Sequence, residues 1–212
     1  MSEKKDPSVI GMVIMCSGAG RRFGGNKLLA DLGGKPLIGH VLDVSLAAAR
    51  EMDRKAFSEG GPHIDGPTAV TRWQPVRDEA DRRGAACILH ADPYQSDTLR
   101  HGLEGAEDKG WTGCIFLTGD QPFLTKESVE RLLDAVCGAP DEVWRLSAKG
   151  VPGNPVYFPA RLFSALRAIE GERGGGSILP KDGTGVRFVE VPERELFDID
   201  TPEALDAARL MV

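Results

Sequence analysis

Val9-Ile10-Gly11-Met12-Val13-Ile14-Met15-Cys16-Ser17-Gly18-Ala19-Gly20-Arg21-Arg22-Phe23-Gly24-Gly25-Asn26-Lys27 is the stretch that decides the fold. Its first part is an unbroken apolar run, the pattern of a strand buried on both faces. The run ends in a loop with glycine at 18, 20, 24 and 25. Bare glycines let backbone N–H groups approach an anion. Arg22 and Lys27 add a guanidinium fork and a point charge at the same place, a combination suited to a triphosphate.

Outward from that loop, strand-like and helix-like segments alternate. Pro36 to about Met52 carries apolar residues at helical spacing, with Pro36 in the first turn. Ser58 to Pro67, with its Gly, Pro and Asp, reads as a surface loop. Strands are expected near Ala69–Trp73, Ala85–His90, Cys114–Thr118, Val143–Ala148, Val156–Phe158 and Val186–Val191. Helices are expected near Pro75–Arg83, Thr98–Ala106, Lys126–Cys137 and Arg161–Ile169, and a last one is capped by Thr201 with Pro202 at its first position. Such βαβ alternation predicts a single α/β domain over residues 1–212, with a mostly parallel sheet between two helical layers and residues 1–8 flexible. Ligands of these sheets bind beyond the carboxyl ends of the strands. The loops after Met15, after Thr118 and before Thr201 are therefore the ones to inspect.

The 212 residues carry 26 basic and 32 acidic side chains, a net charge of −6, which argues against nucleic acid or anionic membrane as a partner through bulk charge. No apolar run approaches the ~20 residues of a membrane helix. Lys4 and Lys5 before the run at Val9–Met15 mimic a signal peptide, but the run is short and Arg21-Arg22 follow at once, so it reads as a buried strand. Cys16, Cys87, Cys114 and Cys137 lack metal-ligand spacing and read as buried free thiols of a reduced, cytoplasmic protein. His40, His63, His90 and His101 have no partner spacing either.

Neither of two better-known phosphate loops fits. In a P-loop the lysine precedes Ser or Thr, whereas Leu28 follows Lys27; in a dinucleotide loop a third glycine stands where Phe23 stands here. A second loop, Leu117-Thr118-Gly119-Asp120-Gln121-Pro122, ends a buried strand in a carboxylate that could hold Mg²⁺ against phosphate oxygens. Thr125 is the better helix cap there, which leaves Asp120 free for a ligand.

The first loop resembles the L-A-A-G-x-[GS]-x-R-x-G-x-x-K signature of nucleotidyltransferases, with Gly18, Gly20, Arg22, Gly24 and Lys27 in register and Met15-Cys16-Ser17 departing from the usual residues. Gly34-Lys35-Pro36-Leu37 looks like the same family's continuation. Gly119-Asp120-Gln121-Pro122 is similar to the segment of molybdenum-cofactor cytidylyltransferases. Gly153-Asn154-Pro155-Val156, Gly171-Glu172-Arg173-Gly174-Gly175 and Asp198-Ile199-Asp200-Thr201-Pro202-Glu203 follow in family order. The chain thus resembles the MocA-type branch of the MobA-like NTP transferases. That resemblance implies a Rossmann-like, GT-A-like nucleotidyltransferase fold. It also implies nucleotide contacts from Met15, Cys16, Ser17, Gly18, Gly20, Arg22, Lys27, Ser96, Thr98 and Asp120. Arg22, Lys27 and Asp120 are the implied catalytic residues, Asp120 and Asp200 the Mg²⁺ ligands, and Asn154 and Pro155 the acceptor contacts.

The implied reaction moves CMP from CTP to the phosphate of molybdopterin or its molybdenum-loaded form. A phosphate acceptor is nearly dianionic at neutral pH, its second pKa being about 6, so no protein nucleophile or general base is required. Guanylyl transfer from GTP and cytidylyl transfer to 2-C-methylerythritol 4-phosphate are the alternative reactions. A non-catalytic chaperone that delivers cofactor to an apo molybdenum hydroxylase is an alternative of a different class.

Overall fold

The computed structural model describes residues 8–18, 20 and 22–212. The expectation of a flexible 1–8 therefore falls almost wholly outside the described residues, as do Ala19 and Arg21. In chain order the elements are β1 (Val9–Met15), β2 (Asp31–Leu32), β3 (Lys35–Pro36), α1 (Leu37–Glu59), β4 (His63–Thr71), α2 (Gln74–Arg83), β5 (Ala86–Leu89), α3 (Gln95–Gly102), β6 (Trp111–Thr118), α4 (Lys126–Gly138), β7 (Val143–Ala148), β8 (Val151–Pro159), α5 (Phe163–Arg167), β9 (Val186–Glu190) and α6 (Pro202–Arg209). Among the described residues a seven-stranded sheet runs β5-β4-β1-β6-β8-β7-β9, and β2 pairs with β3 as a small separate ribbon. β8 alone runs antiparallel to its sheet neighbours β6 and β7; the other pairings are parallel.

Strand alternation divides the core. Ile10, Met12 and Ile14 of β1, with Ile115 and Leu117 of β6, face α1, α2 and α4. Val13, Cys114 and Phe116 face α3 and α5 across the sheet. Gly11 is needed on that second face, because a Cβ there would lie 2.3 Å from the Trp111 ring. The result is a three-layer α/β/α sandwich. A third small cluster of Leu32, Leu37, Phe123, Ile199, Leu205 and Ala208 seats α6 against the chain beyond β6.

Two local expectations are corrected. Of the expected surface loop Ser58–Pro67, residues 60–62 remain loop, Ser58 and Glu59 end α1, and the stretch from His63 belongs to β4. Its pairing with β1 skips from Asp65 to Thr68, so Gly66-Pro67 forms an irregularity outside the ladder, where a proline costs no hydrogen bond. Gly66 has φ +135, and a Cβ there would lie 2.5 Å from the Met12 carbonyl oxygen. α1 also runs on past Met52 to Glu59, where Arg54 pairs with Glu51 one turn back. As for the thiols, Cys16 and Cys114 are buried, but Cys87 is half-buried and Cys137 is exposed. No described helix is long and apolar enough to cross a membrane.

Candidate active site

Parallel β1 and β6 are neighbours and end together, so the loops that follow them meet above the sheet edge. Gly119 N–H donates to Met15 O at 3.2 Å, and Cys16 N–H donates to Val70 O at 2.9 Å. Ile199 N–H donates to Asp120 O at 3.1 Å, which draws the third segment, before α6, into the same place. Gly119 permits the approach. A Cβ there would lie 2.9 Å from Ile38 Cδ1, 3.1 Å from Cys16 Sγ and 3.3 Å from Leu28 Cδ2.

The glycine loop turns at Gly20, whose carbonyl accepts from Phe23 N–H at 2.9 Å and Gly24 N–H at 3.0 Å. Gly20 has φ +58, and its missing Cβ would stand 2.0 Å from Gly25 O. The loop then enters a one-turn 3-10 helix, Lys27–Leu29, with Asn26 Oδ1 accepting from Leu28 N–H. That turn points Lys27 inward. Its Nζ donates to Asp120 Oδ2 at 2.6 Å and to Asp200 Oδ1 at 2.5 Å, with only 10% of the side chain exposed. Arg22, from the exposed side, donates to Asp200 Oδ2 at 2.6 Å.

Charge binds this cluster together. Burial works against the Lys27 ammonium, but the Asp120 and Asp200 carboxylates outweigh it and raise its pKa. Lys27 in turn holds the Asp200 carboxyl below its ordinary value, with Arg22 adding to the effect. Asp198 stands two residues before Asp200. Its surroundings desolvate it, and Asp120 and Asp200 repel a further negative charge, so its carboxyl is pushed up to about 6.

A cavity of about 320 Å³ opens over this cluster, lined among others by Met15, Ser17, Gly18, Arg22, Lys27, Thr98, Asp120 and Asp200. A second, of about 300 Å³, adjoins it and shares Met15, Gln95 and Thr118. Asn154 lines the second cavity together with Arg145 and the glycines at 174–176. Not every expected residue faces a cavity. Cys16 is fully buried and packs under Gly119, and Pro155 is buried within β8. Ser96 is fully buried too, its backbone N–H donating to Gly171 O at 3.1 Å. Gly20 shapes the loop and is outside both linings.

The structure adds residues that the sequence reading missed. Arg72 lines the first cavity and its Nε donates to Ser17 O at 3.3 Å. Gln95 lines it as well, as does Glu172 of the Gly171–Gly175 segment that the resemblance had already singled out. His90 lies 2.8 Å from Ser17 Oγ. Arg72 and His90 directly follow parallel strands β4 and β5, so the carboxyl-end rule pointed at their loops.

The donor set fits a hard divalent cation. Two carboxylates converge on one ammonium nitrogen, and the other oxygen of Asp120, Oδ1, is buried with no hydrogen-bond partner. Mg²⁺ and Mn²⁺ take oxygen ligands of this kind.

Residues 12–186 match the model of the MobA-like NTP transferase domain. Over 211 residues the chain is 30% identical to the purine catabolism protein PucB of Bacillus subtilis, covering 97% of this chain and 98% of that protein. It is 29% identical over 205 residues to a molybdenum cofactor guanylyltransferase of Rhodobacter capsulatus, covering 92% and 93%. The crystal structure of Rv0371c from Mycobacterium tuberculosis in complex with manganese superposes with a TM-score of 0.76 at 21% identity, covering 97% of this chain and 100% of that one.

Proposed function

The chain belongs to the MobA-like NTP transferase family of nucleotidyltransferases, and we propose that it transfers CMP from CTP to the terminal phosphate of molybdopterin or molybdenum cofactor, releasing pyrophosphate. The observation that carries this reading is the Lys27 ammonium held between Asp120 and Asp200 in the lining of a cavity that adjoins a second one. The triphosphate belongs in the first cavity and the phosphorylated acceptor in the second, with Asn154 and Arg145 toward the acceptor. Preference for CTP rests on the resemblance at Gly119-Asp120-Gln121-Pro122.

An acceptor phosphate oxygen attacks the α-phosphorus as the bond to the α–β bridging oxygen breaks, and pyrophosphate carries away the electron pair. No proton need be removed from a phosphate already ionised. The protein's work is alignment and charge stabilisation. Lys27 has three N–H donors and spends two on Asp120 and Asp200, so the third can reach a phosphate oxygen without breaking the cluster. Arg22 is exposed and free to swing from Asp200 onto the leaving phosphates. Asp120 and Asp200 would hold Mg²⁺. That ion, when bound, neutralises phosphate charge.

Pyrophosphate release, measured with CTP or GTP, molybdopterin or 2-C-methylerythritol 4-phosphate, and Mg²⁺, tests the proposal. CTP with molybdopterin is expected to give turnover. Release with GTP instead would reassign the base, release with the sugar-alcohol phosphate would reassign the acceptor, and no release with any pair would favour a binding or delivery role.

A further inference from the structure

β5 ends at Leu89, and the loop after it leads into α3. This brings together three side chains that the sequence keeps apart: His90, Asp92 and His101. Among the described residues, one ligand atom from each lies within 4.8 Å of the others. The two imidazole rings sit 4.5 Å apart, centroid to centroid. His101 Nε2–H donates to Asp92 Oδ2 at 2.7 Å.

Each histidine has a partner outside the trio that holds one ring nitrogen. His101 Nδ1–H donates to Glu104 Oε1 at 2.6 Å, a carboxylate–histidine pairing of the kind that orients metal-bound imidazoles. That directs Nε2 toward Asp92. His90 Nε2 faces Ser17 Oγ at 2.8 Å and Thr98 Oγ1 at 3.4 Å, and a metal on the other ring nitrogen would select the tautomer with the proton on Nε2. His90 Nδ1 is then a lone-pair nitrogen, and it is buried with no hydrogen-bond partner. A buried acceptor without a partner is costly, and a metal would satisfy it.

We propose that His90, Asp92 and His101 form a second cation site, separate from the Asp120–Asp200 pair, that takes one borderline transition metal of the zinc class through two imidazoles and a carboxylate. Zinc–nitrogen bonds of about 2.0–2.1 Å put tetrahedral ligands about 3.3 Å apart, within small rotations of the spacing seen here. On binding, the proton between His101 and Asp92 leaves to solvent and the Nε2 lone pair goes to the metal. Two imidazoles with one carboxylate select zinc-class ions over Mg²⁺. A fourth position stays open to water, because Asp92 is exposed. The bound ion would clip the loop after β5 to α3. Through the contacts of His90 with Ser17 and Thr98, it would hold two residues that line the nucleotide cavity. The site stands on its own geometry and does not depend on the nucleotidyl-transfer reading.

Cobalt(II) replaces zinc with a visible spectrum, so Co²⁺ titration of the intact, metal-stripped protein is the test, with Zn²⁺ displacing the Co²⁺. The expected result is one equivalent of tetrahedral, nitrogen-ligated Co²⁺ in wild type and in an Asp120→Asn/Asp200→Asn double variant, with the signal lost in His101→Ala. Glu104→Gln is expected to weaken binding about 10–100-fold. Asp92→Asn, in an exposed loop, keeps the test usable if His101→Ala fails to fold, and it too should weaken binding. Zn²⁺ should raise the melting temperature of wild type but not of Asp92→Asn. The proposal is overturned if wild type gives no tetrahedral signal. It is equally overturned if the signal survives in both His101→Ala and Asp92→Asn, or if it disappears only in the Asp120→Asn/Asp200→Asn protein.

Discussion

Replacing Lys27 with methionine keeps the length and packing of the side chain and removes its charge. In the folded protein Nζ is 2.6 Å from Asp120 and 2.5 Å from Asp200, in a position only 10% exposed, so water cannot take over its role. Loss of one preorganised charge-stabilising donor costs about 2.7–4 kcal/mol of transition-state stabilisation, or about 10²–10³ in turnover. The same change has an opposite effect on cation binding. Wild-type Lys27 repels a divalent ion and holds one oxygen of each carboxylate, Asp120 Oδ2 and Asp200 Oδ1. Lys27→Met should therefore bind Mn²⁺ more tightly while turning over about 10²–10³-fold more slowly. Lys27→Arg keeps the charge, but its planar fork does not fit between two carboxylates that converge on one nitrogen, so it should recover only part of the rate. Pyrophosphate release gives the first quantity and Mn²⁺ titration by electron paramagnetic resonance the second. Turnover within tenfold of wild type, or weaker Mn²⁺ binding in Lys27→Met, would be incompatible with these roles for Lys27.

Three further outcomes follow from the same geometry. Asp198 holds its proton better folded than unfolded, its carboxyl being pushed from 3.8 up to about 6; stability therefore falls as pH rises through that window. Asp198→Asn should raise the melting temperature above pH 6 and leave it unchanged below pH 4, and a pH series in which the gap stays constant would contradict this. Gly119→Ala places a methyl 2.9 Å from Ile38 Cδ1 and 3.1 Å from Cys16 Sγ, an overpacking worth about 1–3 kcal/mol. Thermal melts should show the loss, and activity should fall with it because Asp120 is the next residue. Thr125→Ala removes a cap on Ser128 N–H and a hydroxyl that donates to the buried Glu195 at 2.9 Å. It should cost about 0.5–2 kcal/mol in urea unfolding with kcat unchanged, since Thr125 lines neither cavity.

Local chemistry was legible in the sequence wherever one short segment carried it. The apolar run of β1, the glycine loop, the Thr118–Pro122 turn and the Thr201 cap each contain their own signal. The Thr201 side chain does accept from Ala204 N–H at the start of α6. The clustering of Lys27, Asp120 and Asp200 followed from parallel strands ending together. What stayed hidden depended on partners distant in the chain. β4 was obscured because Gly66-Pro67 reads as loop until β1 is seen to pair around it. Pro155 and Ser96 looked like ligand contacts by motif position, yet both are buried and neither lines a cavity, although their chain neighbours Asn154 and Gln95 do. His90 and His101 showed no spacing because one follows a strand and the other sits on the next helix, and only their packing makes them neighbours.

On the proposed reading, the turns after β1 and β6, with Asp200, grip a cation-bound triphosphate. Anomalous diffraction from crystals soaked with Mn²⁺ and CTP would locate that cation. The expected result is a manganese peak between Asp120 and Asp200, with Lys27 Nζ on a phosphate oxygen and the base beside Ser17 and Thr98. A triphosphate bound with its manganese away from these two carboxylates would contradict it.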